Sequence, residues 1–199
     1  MPMKYLIVSA FPRSGSVFFA KCLEKYRGTS LNAQVSSFHI PYILDNSNLC
    51  TATIIRNPYD VLSSLYYQRQ AKSGEQIMYS IEDMIYDYSL YLSYAQQYRD
   101  SDHLQIVDFE KMKNNPVDQT IKYYNKFNVE YNESLLFTDE SLNENIKNEM
   151  INMNAMDELG GHMPREKTSN REFIENYISE LDILKPVYEN YQNTIKFSA

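Results

Sequence analysis

A continuous apolar run, Tyr5-Leu6-Ile7-Val8, gives way almost at once to the turn-rich segment Phe11-Pro12-Arg13-Ser14-Gly15-Ser16. An unbroken rather than alternating apolar run suits a strand buried on both faces of a parallel sheet. Val17 to Tyr26 then reads as a helix, with Phe18, Cys22 and Leu23 along one side. A helix that starts directly after a buried strand presents unpaired backbone N–H groups and the positive end of its dipole, so Arg13 to Val17 is a ready anion site. Gly15, one of only five glycines in the chain, lets the backbone approach a ligand there.

The pattern repeats. Thr51-Ala52-Thr53-Ile54-Ile55 is a second strand-like run, ending at Arg56-Asn57-Pro58, where Asn57 suits an N-cap and Pro58 the first helical position. A long helix is predicted from about Ser80 to Arg99, with Ile81, Met84, Ile85, Tyr88, Tyr91, Leu92, Ala95 and Tyr98 forming one stripe. Leu104 to Val107 is a third strand, and Asn115-Pro116 repeats the cap-then-proline start of a helix carrying Ile121, Tyr124 and Phe127. From Asn128 to about Met156 the chain is rich in Asn and Glu and lacks clear strand signals, which suggests a helical excursion or a mobile segment over the sheet. Ser169 with Glu172 predicts a capping box ahead of a helix through Ile174, Tyr177, Ile178, Leu181 and Leu184, ended or kinked by Pro186. Strands alternating with helices imply an α/β fold with a central parallel sheet. The 199 residues suit a single domain, 1–199, in which 1–127 form the anion-binding core and 128–199 the excursion, a basic loop and the last helix.

Composition narrows the partners. A net charge of −7 argues against non-specific binding to nucleic acid or to an anionic membrane, because both need an excess of Lys and Arg. Cys22 and Cys50 have no metal-ligand or redox spacing, so no metal site is expected and both read as free thiols. The N-terminal apolar run is too short for a signal peptide or a membrane span, and a cytoplasmic location is expected. The phosphate loop is not that of a triphosphatase. Laid over G-x-x-x-x-G-K-[ST], the first Gly falls on Ala10, the Lys on Ser16 and the hydroxyl residue on Val17, which disfavours magnesium-dependent triphosphate chemistry.

Three segments together carry a family resemblance. Phe11-Pro12-Arg13-Ser14-Gly15-Ser16 resembles the 5′-phosphosulfate loop of the sulfotransferases, written Y-P-K-S-G-T-T or P-R-S-G-[ST]. Arg56-Asn57-Pro58-Tyr59-Asp60-Val61-Leu62-Ser63-Ser64 resembles their R-N-P-x-D-V-x-x-S segment, and Val107-Asp108-Phe109-Glu110-Lys111-Met112 resembles V-x-Y-E-D-L. The resemblance spans about Lys4 to Phe127. It implies a P-loop nucleoside triphosphate hydrolase-like fold of the sulfotransferase kind. It also implies 3′-phosphoadenosine 5′-phosphosulfate (PAPS) as donor, adenosine 3′,5′-bisphosphate (PAP) as product and no metal requirement.

By the same resemblance, Pro12, Arg13, Ser14, Gly15, Ser16 and Val17 hold the 5′ end of the donor, and Arg56 and Ser64 hold its 3′-phosphate. The third segment is given a structural role. Phe38-His39-Ile40-Pro41 resembles T-H-x-P, which makes His39 the general base; an imidazole with a pKa near ~6.5 suits that work at neutral pH. Arg13 stands where the commonest pattern has Lys and is assigned to the charge that develops on the bridging oxygen. Ser37 stands where cytosolic members carry another Lys. The basic segment Gly160-Gly161-His162-Met163-Pro164-Arg165-Glu166-Lys167 offers Arg165 and Lys167 as further 3′-phosphate contacts, and His103 and His162 read as surface histidines. The partner is then a small-molecule or exposed hydroxyl acceptor, less readily an amine, in a pocket walled by the tyrosine-rich helices and the segment after Asn128. A catalytically silent nucleotide-binding protein of the same fold is the alternative, and a nucleotide kinase the third reading.

Overall fold

The computed structural model describes residues 4–27, 33–73, 80–132, 137–156 and 169–196. Its centre is a four-stranded parallel sheet of β1 (Lys4–Ala10), β2 (Ala33–Phe38), β3 (Cys50–Ile55) and β4 (Leu104–Asp108), in the order β2-β1-β3-β4. β1 pairs with β2 from Lys4↔Ala33 to Ser9↔Phe38 and with β3 from Leu6↔Cys50 to Ala10↔Ile54, while β3 meets β4 from Thr51↔Leu104 to Ile55↔Asp108. Two of the three apolar or β-branched runs, β1 and β3, are therefore the inner strands, and the third, β4, lies at one edge with Leu104 to Val107 still buried. β2 was not foreseen. Ala33-Gln34-Val35-Ser36-Ser37-Phe38 lies at the sheet edge, where a strand needs no continuous apolar run.

The helices are α1 (Ser16–Arg27), α2 (Pro58–Ser73), α3 (Ile81–Gln97), α4 (Phe109–Asn114), α5 (Pro116–Lys126), α6 (Asp139–Met156), α7 (Ser169–Ser179) and α8 (Leu184–Ile195). One face of the sheet, through Leu6, Val8, Ala52, Ile54 and Val107, packs on α1, α5 and α6. The other, through Ile55, Leu104 and Ile106, packs on α2, α3, α7 and α8. Each fully buried aliphatic side chain in these layers, such as Leu6, Leu23 or Leu62, contributes ~1.5–3 kcal/mol. No described helix is long and apolar enough to cross a membrane.

Local chemistry sets most of the boundaries. Ser80 and Asp83 form a reciprocal capping box at α3. Asn57 caps α2, its Oδ1 accepting from Tyr59 N–H at 3.0 Å. At α5 the cap differs from expectation. Asn115 makes no side-chain cap bond, and Asp139 at the start of α6 accepts from Val117 N–H at 2.9 Å instead. The excursion after Asn128 is thus tied back to the core helix that precedes it. The single terminal helix expected from Ile174 to Leu184 is two helices. α7 stops at Ser179 and α8 opens at Leu184, with Pro186 in its first turn, where a missing N–H leaves no intrahelical bond unmade.

Candidate functional site

In this sheet β1 feeds α1 on one face, whereas β3 feeds α2 on the other. The two connections leave adjacent strands in opposite directions and open a crevice at the carboxyl ends of β1 and β3, the place where open α/β sheets bind ligands. Both anion motifs stand at its walls. His39 follows β2 on one side of them, and Phe109 follows β4 on the other.

The first wall is the 11–15 turn, closed by a 3.1 Å bond from Ser14 N–H to the Phe11 carbonyl. Arg13 has φ 70° and Gly15 φ 89°. Left-handed backbone is natural for glycine and strained for arginine, and such strain persists only where surroundings hold it in place. Two bonds do so. Arg13 Nε donates to Ser64 Oγ at 3.1 Å, and the Arg13 carbonyl accepts from Arg56 Nη1 at 2.8 Å. The sequence-predicted residues Arg13, Arg56 and Ser64, up to 51 positions apart, are therefore one hydrogen-bonded group.

Ser14 is fully buried, and its Oγ meets no hydrogen-bond partner among the described residues. A buried hydroxyl left in that state beside a helix N-terminus fits an anionic ligand that would accept from it. Ser16 opens α1 and is buried; Pro12 and Val17 are half-buried at the same turn. The 5′-loop candidates are thus contiguous around one helix end.

Gly15 is required for a second reason. A Cβ there would lie 2.9 Å from Phe109 Cε2 and 3.0 Å from Met112 Cε. The same Phe109 ring lies beneath the Arg56 guanidinium, 4.4 Å from Cζ to ring centroid, a cation–π distance. The segment read as structural thus touches both anion motifs. Sequence reasoning missed this, although the one available signal, an aromatic residue directly after β4, was in view.

Tyr88 holds Arg56 by its backbone. Its hydroxyl accepts from Arg56 N–H at 3.3 Å and donates to the Arg56 carbonyl. Burial raises the phenol well above the ordinary tyrosine range, so it remains a protonated donor.

His39 is exposed, and its Nδ1 lies 2.7 Å from the Ala10 carbonyl. A carbonyl can only accept, so Nδ1 carries the proton and a neutral ring has its lone pair on Nε2. The next residue is fixed as well. Ser9 Oγ donates to the Ile40 carbonyl at 3.1 Å and stands 3.3 Å from the Tyr91 hydroxyl. Tyr88 and Tyr91, on the helix expected to help wall an acceptor pocket, are buried in the core, with the Tyr88 hydroxyl on the Arg56 backbone and the Tyr91 hydroxyl against the Ser9 side chain. His103 is not a surface residue: it is half-buried, and its Nε2 lies 2.9 Å from the Leu44 carbonyl. Arg165, Lys167 and His162 lie outside the described residues. Among the described residues no cluster of His, Cys, Asp or Glu could hold a metal ion.

No protein-family model matches the chain, and no curated protein sequence does. Solved structures match along nearly its whole length. A retinol dehydratase in complex with androsterone and the inactive cofactor PAP superposes with a TM-score of 0.57 at 10% identity, over 100% of this chain and 83% of that one. A mouse sulfotransferase complexed with PAP gives 0.55 at 12% identity, over 97% of this chain and 85% of its own. The fold is that of the sulfotransferases. A sulfotransferase domain from the curacin biosynthetic pathway, at 12% identity and a TM-score of 0.50, shares it over 90% of this chain and 98% of its own. At such identities the sulfotransferase fold is what is held in common; the side-chain chemistry rests on the geometry above.

Proposed function

We propose that this chain is a sulfotransferase that takes a sulfuryl group from PAPS and passes it to a hydroxyl acceptor, leaving PAP. One observation carries the reading: the two anion motifs meet, with Arg13 bonded to Ser64 and Arg56 bonded to the Arg13 carbonyl across the crevice. That two structural neighbours are bound to PAP supports it.

PAPS, when bound, supplies a sulfuryl group already activated as a mixed anhydride with phosphate. The chain's own residues do the rest. The N-terminus of α1 and the Ser14 hydroxyl hold the 5′ anion through donors that need no rearrangement. Arg56 offers a planar fork to the 3′-phosphate, and Ser64, on the first turns of α2, offers a hydroxyl beside it. Arg13 keeps a permanent positive charge between the two ends, suited to charge that develops on the oxygen leaving sulfur. His39 takes the acceptor proton on Nε2, because the Ala10 carbonyl holds the other ring proton in place. Arg165 and Lys167 would add charge at the 3′-phosphate. The acceptor is a small or exposed hydroxyl compound, and the cytoplasm is the expected setting.

The test is titration calorimetry with PAP, AMP and ATP, without added metal. The expected result is tighter binding of PAP than of AMP by roughly 10- to 100-fold, the worth of one charge-assisted phosphate contact. Equal affinity for all three would overturn the assignment of Arg56 and Ser64, and the function with it.

A further inference from the structure

We propose that Tyr88 and Phe109 are positioning residues that fix the Arg56 guanidinium in advance for the 3′-phosphate. The inference rests on the donor reading above.

Arg56 falls in the gap between the last residue of β3, Ile55, and the α2 cap, Asn57. Its backbone is thus at a junction, outside the strand and the helix that flank it. Tyr88 closes that gap from α3, accepting from the Arg56 N–H and donating to the Arg56 carbonyl with one hydroxyl. The phenol cannot drift, because Tyr88 is fully buried and its ring packs edge-on against Phe11 at 5.1 Å. Phe11 itself begins the phosphate turn, so the clamp and the turn share a wall.

The side chain is held separately. Phe109 lies against the guanidinium at 4.4 Å, and Nη1 donates to the Arg13 carbonyl at 2.8 Å. Phe109 in turn is wedged beside Gly15, where even a methyl group would collide with it. Restraints from α3, from the start of α4 and from the phosphate turn therefore converge on one arginine. A long side chain ordered before the ligand arrives loses less freedom on binding, and that gain goes to whichever group the guanidinium contacts. Under the donor reading this group is the 3′-phosphate alone. A purely structural role would weaken every nucleotide equally.

The experiment compares PAP and AMP titrations of the full chain and of Tyr88→Phe, Phe109→Leu and Phe109→Tyr. In Tyr88→Phe and Phe109→Leu the preference for PAP over AMP should shrink by roughly three- to tenfold while the affinity for AMP holds, and Phe109→Tyr, which keeps the ring, should restore it. Should Tyr88→Phe fail to fold, the two Phe109 variants carry the test, since Phe109 is only half-buried. Undiminished preference in the variants, or equal weakening of both nucleotides, overturns the inference alone. A wild-type protein with no preference for PAP removes the donor reading and this inference together.

Discussion

Of the six tyrosines buried among the described residues, two pairs lie on opposite faces of the sheet, Tyr123 and Tyr124 on one face and Tyr88 and Tyr91 on the other. On the α5 side the Tyr123 hydroxyl donates to the Cys50 carbonyl at 2.5 Å, at the start of β3, and the Tyr124 hydroxyl to the Leu23 carbonyl at 2.7 Å, within α1. On the α3 side Tyr88 bonds to Arg56, and Tyr91 stands beside Ser9, next to the residues that hold His39 and Ile40. Residue type and burial are the same in both pairs. What differs is the destination of the hydroxyl: the first pair ties strand and helix at points remote from the crevice, and the second ties down its walls. Burial alone therefore says nothing about which tyrosine serves a site, and changes at the carboxyl end of the sheet should separate binding from stability in a way that changes elsewhere do not.

The largest effect should come from His39→Ala. Turnover, once an acceptor is found, should fall by ~10²- to 10⁴-fold, with PAP affinity and the thermal midpoint unchanged, because the side chain is exposed and its bond among the described residues is to the Ala10 carbonyl. Loss of PAP binding in this variant would mean that His39 is part of the donor cradle. Next, Arg56→Ala should weaken PAP by roughly 10- to 100-fold in calorimetry, with a smaller change for AMP. Gly15→Ala should blur the separation. It puts a side chain at φ 89° and within 2.9 Å of Phe109, so both denaturant stability, by about 1–3 kcal/mol, and PAP affinity should drop as Phe109 shifts from under Arg56. The smallest effect belongs to the remote pair. Tyr123→Phe should lower stability by about 1–2 kcal/mol by leaving the Cys50 carbonyl short of a donor, and should leave PAP affinity untouched. A change in PAP affinity here would break the contrast between the two faces.

Much of this architecture could be read from the chain because β1, β3 and β4 are largely unbroken apolar or β-branched runs. β2 could not, since an edge strand of Ala, Gln, Val, Ser and Phe carries no such run. The candidate site was legible wherever function follows from local chemistry: a glycine turn before a helix, an arginine ahead of an Asn-Pro cap, a histidine between them. It was illegible wherever function depends on what lies opposite. Tyr88 belongs to a helical apolar stripe, and nothing in that periodicity says where a phenol hydroxyl ends. Phe109 acquires a role only because Gly15 and Arg56, from two other connections, lie against it. The Asp139 cap on α5 is of the same kind, a bond across 22 positions in a place where the adjacent Asn115 was the local expectation.

The pair of bonds between Arg13 and the α2 wall has a mechanical consequence. One runs from the Arg13 side chain to Ser64 and the other from the Arg56 side chain back to the Arg13 backbone, so they cross the crevice in opposite directions. Helices α1 and α2 lie on opposite faces of the sheet, yet their leading ends are coupled here like two levers on one pin. Each helix layer is thus anchored to the other by guanidinium groups, at the carboxyl ends of β1 and β3.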